Sequence, residues 1–178
     1  MTDWVFPALV APAILGLITV AGWFTTYYLN LRQERRKRLE RVTDVQTALL
    51  AEIRSYLHRS SDFDLDEHGR RMEAWILNSK DNAPFVPLDP EFQVYAAILK
   101  DIHILPQPVI DPVVLFYTQA STLALFTEDL RADRYLTLNM QRKNDMYQDY
   151  LELLKHSYRL AGEAMKAIDS AMDKRMLQ

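Results

Sequence analysis

A run of 28 residues, from Trp4 to Leu31, contains no Asp, Glu, Lys, Arg or His, and this run constrains the chain most. A helix needs about 20 apolar residues to cross a hydrocarbon layer roughly 30 Å thick. Trp4 and Trp23 would lie roughly 28 Å apart along such a helix, so aromatic side chains would mark both interfaces. We therefore predict a transmembrane anchor over residues 1–31, with interface aromatics at Trp4, Trp23, Tyr27 and Tyr28.

Two other interpretations of this run are weaker. A cleaved signal peptide would have a basic start, a shorter apolar run and a small-residue cleavage site. Here the chain starts "MTD" and the run ends "TTYYLNLR". A buried helix of a soluble protein rarely lacks charge over such a length. The sequence favours a membrane span.

The uncharged run gives way to a stretch rich in Lys and Arg, the basic segment "LNLRQERRKRLER" of residues 29–41. Lys and Arg that flank a span stay cytoplasmic, so we predict a single pass through the inner (cytoplasmic) membrane with the N-terminus outside and residues 32–178 in the cytoplasm. The bases can also hold anionic lipid, at about 1 kcal/mol each. A topology signal is favoured over a dedicated lipid sensor, and a nucleic-acid arm is least favoured. The bases are Arg32, Arg35, Arg36, Lys37, Arg38 and Arg41.

Charge and composition exclude several classes of function. The chain has net charge −3, and because residues 1–41 carry +3, residues 42–178 carry −6. An acidic body disfavours sequence-independent nucleic-acid binding, which needs clustered Lys and Arg. The absence of cysteine excludes disulfides, thiolate metal sites and thiol nucleophiles. No glycine-rich phosphate loop and no Gly-x-Ser-x-Gly elbow occurs, and no cofactor or small-molecule substrate is indicated.

Helical periodicity predicts an all-α body: a basic juxtamembrane stalk over 32–60, then a cytoplasmic bundle over 61–178. Apolar residues in the stalk recur at intervals of three and four with Gln46 in one gap, which fits either a coiled-coil seam or packing on the chain's own helices. We expect helix starts at Asp89–Pro90 and Asp111–Pro112 and a long antiparallel C-terminal hairpin. The predicted helices cover 32–58, 66–79, 90–102, 110–131 and 138–175.

Four carboxylates, Asp62, Asp64, Asp66 and Glu73, have the spacing of an EF-hand calcium loop. The pattern departs from that motif elsewhere, since Glu67 replaces the turn glycine, Gly69 an apolar residue and Arg70 an oxygen donor. The favoured alternative is that Ser61 or Asp62 caps the next helix while the other acids interact with its positive end. The loop is thus a weak metal candidate.

The histidines do not form a recognisable metal pattern. Glu152 and His156 are four residues apart, whereas di-iron bundles use Glu-x-x-His. Zinc would need three or four converging histidines, which the spacing does not indicate. We interpret His58, His68, His103 and His156 as solvated or hydrogen-bonded.

Six tyrosines of the later helices suit partly buried contacts and protein interfaces. We expect most of them in the core and some in a partner groove, without a basis for saying which. The connector "NAPFVPLDP" fits either a packed segment or a docking loop with Phe85 and Val86 exposed. The six are Tyr95, Tyr117, Tyr135, Tyr147, Tyr150 and Tyr158.

The leading functional hypothesis is a non-enzymatic, membrane-tethered adaptor or accessory subunit that binds a membrane protein partner or itself. Contacts are expected through the stalk, exposed aromatics of the last two helices, and small residues of the span at Ala8, Pro12 and Gly16. The alternative is a divalent-ion-responsive membrane sensor that uses the acidic 62–73 loop. A third possibility, an enzyme with an unfamiliar site, predicts a deep polar pocket in the bundle.

Overall fold

The computed structural model describes the backbone of residues 5–58, 64–88 and 91–176, and the side chains of residues 22–58, 64–88 and 91–174. The chain divides into two compact units, Met1–Thr43 and Asp44–Gln178, and each is described by itself.

Every regular element in the described residues is a helix, so the predicted all-α helical bundle is confirmed and the described part contains no strand. Six α-helices and one 3-10 helix follow each other along the chain. They are α1 (Val5–His58), α2 (Leu65–Asn78), α3 (Gln93–Ile98), a 3-10 helix (Leu99–Ile104), α4 (Gln107–Arg131), α5 (Asp133–Leu136) and α6 (Met140–Met176).

Helix α1 runs without interruption for 54 residues. From Trp23 to His58 the helix contains neither glycine nor proline, so no residue of this stretch weakens the backbone hydrogen-bond ladder. An exposed ion pair joins Arg36 Nε to Glu40 Oε1 at 2.9 Å, one turn apart, and such pairs stabilise a helix by about 0.3 kcal/mol. Residues 5–31 of the predicted anchor and residues 32–58 of the predicted stalk therefore belong to one helix.

The larger core lies where the end of α1 packs with α4 and α6. Leu49 and Ile53 are fully buried, and the Tyr56 ring meets Phe116 edge-on at 5.3 Å between centroids. The Tyr56 hydroxyl also lies 2.9 Å from Ser157 Oγ of α6. Over residues 49–56 the apolar stripe thus packs on the chain's own helices, which was one of the two predicted arrangements.

The smaller core joins α2 and the connector after it to the far end of α4, to α5 and to the start of α6. The Tyr135 hydroxyl donates to the Lys143 carbonyl at 3.0 Å. Lys143 Nζ donates to the carbonyl of Lys80, two residues after the end of α2, at 2.7 Å. The buried residues are Ile76, Val86, Leu130, Tyr135, Tyr147 and Leu151.

Helices α4 and α6 are antiparallel neighbours, as predicted. Val109 near the start of α4 shares the larger core with Ile168 near the end of α6. Leu130 at the end of α4 shares the smaller core with Tyr147 near the start of α6. The short connection, which includes α5, requires this arrangement.

Of the two predicted helix starts, one differs from the structure and the other lies outside the described residues. Helix α4 begins at Gln107 rather than at Asp111–Pro112; Pro108 lies in its first turn and Pro112 lies inside the helix. That prediction was wrong: Pro108 at the start of α4 removes a backbone donor that has no intrahelical partner there, and the helix then continues through Pro112. The predicted Asp89–Pro90 start lies outside the described residues. The helix predicted over 90–102 is divided into α3 and the 3-10 helix, with Asp101 outside helical geometry (φ −108°, ψ 16°).

Among the helices with described side chains, α4 is long and apolar enough to cross a membrane by length and composition alone. Eight of its residues are buried, and the apolar helix of a protein core passes the same test. Its apolarity is therefore explained by packing. The anchor predicted over residues 1–31 has its first 21 side chains, Met1 to Ala21, outside the described set.

Candidate functional site

A cleft of about 760 Å³ lies between α4 and a segment made of Leu88 and residues 91–99. Leu88 and Leu99 are 55% and 50% exposed, so this is an open groove rather than a closed cavity. Seven lining residues come from the segment and five from α4. They are Leu88, Glu91, Phe92, Gln93, Tyr95, Ala96 and Leu99, with Tyr117, Ala120, Ser121, Ala124 and Glu128.

The floor of the cleft is aromatic. The Tyr95 ring stacks on Tyr117, with 3.9 Å between centroids and 7° between planes. Phe92 meets Tyr117 edge-on at 5.0 Å and 84°. Edge-on aromatic pairs such as Phe92–Tyr117 contribute about 1 kcal/mol beyond their buried area. These contacts hold the short helix α3 against α4.

Glu52 of α1 supports this floor from below. Its carboxylate accepts hydrogen bonds from the backbone N–H of Val94 (2.8 Å), the backbone N–H of Tyr95 (3.2 Å) and the Tyr117 hydroxyl (2.7 Å). Helix α3 has no side-chain cap from its own N-cap residue, Phe92. Glu52 therefore supplies from another helix the acceptor that an N-cap side chain usually provides.

Two phenols of the cleft have raised pKa values. Burial, and then the hydrogen bond to Glu52, raises the pKa of the Tyr117 hydroxyl far above its usual value; burial also raises the pKa of Tyr95. Both phenols stay neutral near pH 7. The Ser121 hydroxyl donates to the Tyr117 carbonyl at 2.9 Å. The lining residues include no His, Lys or Arg that would act as a base or activate a nucleophile; their two charged members are Glu91 and Glu128.

The predicted interface aromatics are exposed where the structure describes them. Trp23 is 80% exposed, and Phe24, Tyr27 and Tyr28 are also exposed. Trp4 lies outside the described residues. The Arg32 guanidinium lies over the Tyr28 ring, 5.2 Å from its centroid.

The basic segment is helical and solvent-facing. Its six bases, Arg32, Arg35, Arg36, Lys37, Arg38 and Arg41, are all exposed on α1. Arg36 makes the ion pair with Glu40 described above. A helix distributes these bases around its circumference, because consecutive residues are about 100° apart.

The acidic residues of the 62–73 loop have structural contacts where they are described. Asp64 caps α2, accepting from the backbone N–H of Asp66 and Glu67 at 2.9 Å each; the predicted cap was Ser61 or Asp62. Asp66 forms an ion pair with Lys155 Nζ of α6 at 2.6 Å. Glu73 is exposed on α2, and Asp62 lies outside the described residues.

The cap and the ion pair use oxygens that a calcium loop would need. The Glu67 amide hydrogen bond is the main cause of the lowered pKa of Asp64. Among the described residues no group of three or more His, Asp or Glu side chains is placed to hold a metal ion. Binding of an ion by the complete loop stays a prediction.

The expectation of exposed aromatic side chains on the last two helices is wrong. Phe116 and Tyr117 of α4 are buried, as is Tyr147 of α6, and the remaining rings of these helices are half-buried. The exposed large apolar side chains of α4 are instead Leu115 and Leu125. Rings at helical spacing fill the core here, which is their commoner place.

The connector is a packed segment with one exposed ring. Pro84 and Val86 are buried, and Arg131 donates to the Val86 carbonyl at 2.8 Å. Phe85 between them is 83% exposed, with the Arg131 guanidinium 5.8 Å from its centroid. Alternate residues of an extended segment point in opposite directions, so the expected exposure is correct for Phe85 and wrong for Val86.

The cleft and the role of Glu52 were not predicted. Tyr95 and Tyr117 were marked as candidates for a partner groove, but nothing in the sequence pairs them with each other or with Glu52, 43 and 65 residues earlier. The sequence signal that could have indicated the role of Glu52 was the position of this acid next to Leu49 and Ile53 on the apolar stripe of α1.

Comparisons with known proteins add no identity, since no protein-family model, no curated protein and no solved structure matches this chain.

Proposed function

We propose that this protein is a non-enzymatic, single-pass, membrane-tethered helical adaptor or accessory subunit that acts through protein–protein contacts. The observation that carries this proposal is the continuity of α1 from Val5 to His58. The same helix contains the uncharged run and the core residues Leu49 and Ile53. The proposed anchor would lie in an inner membrane, and the bundle would lie in the cytoplasm.

The exposed rings of α1 support the membrane part of the proposal. Trp23, Phe24, Tyr27 and Tyr28 expose between 59% and 80% of their surface within six residues. A soluble monomer rarely leaves such a patch in water, whereas the bilayer interface is favourable for amphipathic rings. The basic segment follows directly, where cytoplasmic headgroups would meet it.

The cleft supports the adaptor part of the proposal. It is open and has an aromatic floor and half-exposed leucines, and the hydroxyl groups of Tyr117 and Ser121 are engaged within the protein. Binding surfaces combine an apolar centre with a polar rim in this way.

Membrane extraction tests the tether. We expect the full-length chain to sediment with membranes after washes in high salt and in alkaline carbonate, and to dissolve only in detergent. The double variant Ile14→Arg with Ile18→Arg is the control, because each arginine opposes insertion by about 2.5 kcal/mol. A wild-type chain released by carbonate would refute the tether.

Isolation under native conditions tests the adaptor role. We expect cross-linking in intact membranes, followed by mild solubilisation, to yield a complex of fixed stoichiometry that is larger than one 20.8 kDa chain. Light scattering that shows a bare monomer in both cross-linked and untreated samples would contradict the proposal.

A further inference from the structure

The two walls of the cleft differ in the size of their side chains. Leu88 and Leu99 project from one wall with half of their surface exposed. The α4 wall presents the small residues Ala120, Ser121 and Ala124. Small residues allow another backbone to approach closely, and exposed leucines offer apolar contact. This combination of exposed leucines and small residues suits an α-helix that lies along α4.

The charges that line the cleft restrict which helix can bind there. The charged residues that line the cleft, Glu91 and Glu128, are both acidic and both exposed. Their side chains would repel an acidic segment and attract Lys or Arg, and complementarity of this kind sets specificity and association rate. The occupant should therefore be apolar on one face and basic at its edges.

The cleft is built before any ligand arrives. Three hydrogen bonds to Glu52 and the stacked Tyr95–Tyr117 pair fix the start of α3 against α4. A preformed groove avoids the ordering cost that weakens flexible binding sites. Helix-in-groove docking is a common mode of peptide recognition.

We propose that this cleft binds an amphipathic helix of a partner protein, with leucine-sized side chains on its apolar face and Lys or Arg at its edges. The inference rests on the proposed adaptor function and names the chemistry of its partner. The apolar face lies on Tyr95, Ala124 and the two leucines, and the basic side chains pair with Glu91 and Glu128.

The test uses the full-length chain in lipid nanodiscs and a fluorescent 18-residue helical peptide with leucines on one face and lysines at its edges. A matched peptide has glutamate in place of every lysine. Fluorescence anisotropy should show saturable binding of the lysine peptide and at least about tenfold weaker binding of the glutamate peptide.

Variants of the protein locate the binding. We expect Leu99→Ser to weaken the lysine peptide about tenfold, and Glu91→Lys with Glu128→Lys to reverse the preference between the peptides. Glu163→Lys with Asp173→Lys makes the same charge change at exposed positions of α6 outside the cleft, and should change affinity less than about twofold. Ala124→Phe fills the cleft without exposing core and serves if Leu99→Ser reduces helicity.

The outcomes separate clearly. Equal weakening by the cleft and control charge variants would show nonspecific attraction to an acidic body and would overturn the inference. A change from oligomer to monomer caused by the cleft charge reversal would place a second copy of this chain there, and would also overturn it. Membrane extraction is measured independently, so a tethered chain that fails to bind the peptide leaves the proposed function standing.

Discussion

At the scale of single residues, Gln46 conflicts with its surroundings. Its side chain is fully buried, and neither Nε2 nor Oε1 has a hydrogen-bond partner. Burying an amide without partners costs about 1–3 kcal/mol. The sequence showed the polar gap in the apolar stripe of α1 but not the absence of a partner. Gln46, the polar residue in this stripe, lies in the interior of the protein.

We expect Gln46→Met to raise the free energy of unfolding by about 1–2 kcal/mol. Methionine has a similar unbranched shape and needs no hydrogen bond. Urea unfolding of the full-length chain in detergent, followed by circular dichroism, measures the change. Gln46→Glu is the matched control and should destabilise, because it buries a charge. Equal or lower stability of the methionine variant would contradict the expectation.

Glu52 holds more of the structure than its position suggests. We expect Glu52→Ala to lower the free energy of unfolding by about 2–4 kcal/mol, because the Tyr117 hydroxyl and two backbone N–H groups lose their acceptor. Hydrogen exchange should accelerate at the Val94 and Tyr95 amides. Tyr117→Phe is the control; it removes the hydroxyl bond and leaves both amides protected. Unchanged exchange at these amides in Glu52→Ala would refute the capping role.

At the scale of elements, α2 is held on α6 by contacts that depend on pH. His68 Nε2 lies 2.9 Å from the Tyr147 hydroxyl, and desolvation by burial, followed by repulsion from Arg71, lowers the pKa of His68 below its ordinary 6.5. Between its folded pKa and 6.5 the unfolded chain binds more protons, so stability rises with pH. This contribution is complete above pH 6.5 and is lost as pH falls through the folded pKa.

We therefore expect the urea midpoint of the wild-type chain to fall between pH 7.5 and pH 5.5 by more than that of His68→Gln, which keeps a neutral polar group. The lowered pKa of Asp64 acts below its ordinary 3.8, outside this window, so it does not confuse the comparison. The other histidines contribute equally to both chains. Parallel midpoints of the two proteins would show that His68 contributes no pH dependence.

The helices were more predictable from the sequence than the cleft was. Periodicity identified α2 and α6 to within two residues at each end, since each helix must bury one face. Cap and proline positions were less predictable: Asp64 caps α2, where Ser61 or Asp62 was the predicted cap, and Pro112 lies inside α4, where it was predicted to start the helix. The cleft depends on Glu52, Tyr95 and Tyr117 meeting in space, and no local pattern encodes a contact between distant residues.

At the scale of the whole molecule, charge is distributed unevenly along the sequence. Residues 1–41 carry +3 and the remainder carries −6. The bases all follow the uncharged run, and flanking Lys and Arg dominate orientation whereas acids contribute little. This asymmetry would fix which side of the membrane the acidic body occupies. It would also keep the acidic rim of the cleft accessible to basic partners on that side.

Because the chain contains no cysteine, a single introduced thiol reports orientation without background. We expect Ser170→Cys, at an exposed site of α6, to resist a membrane-impermeant maleimide in intact cells and to react after lysis. We expect Thr2→Cys to react in intact cells. Neutralising Arg32, Arg35, Arg36 and Lys37 to Gln while adding three lysines after Met1 should make the two labelling patterns exchange in a large fraction of molecules. A Ser170→Cys chain that is labelled in intact cells before that change would reverse the proposed orientation, and with it the side on which a partner helix must reside.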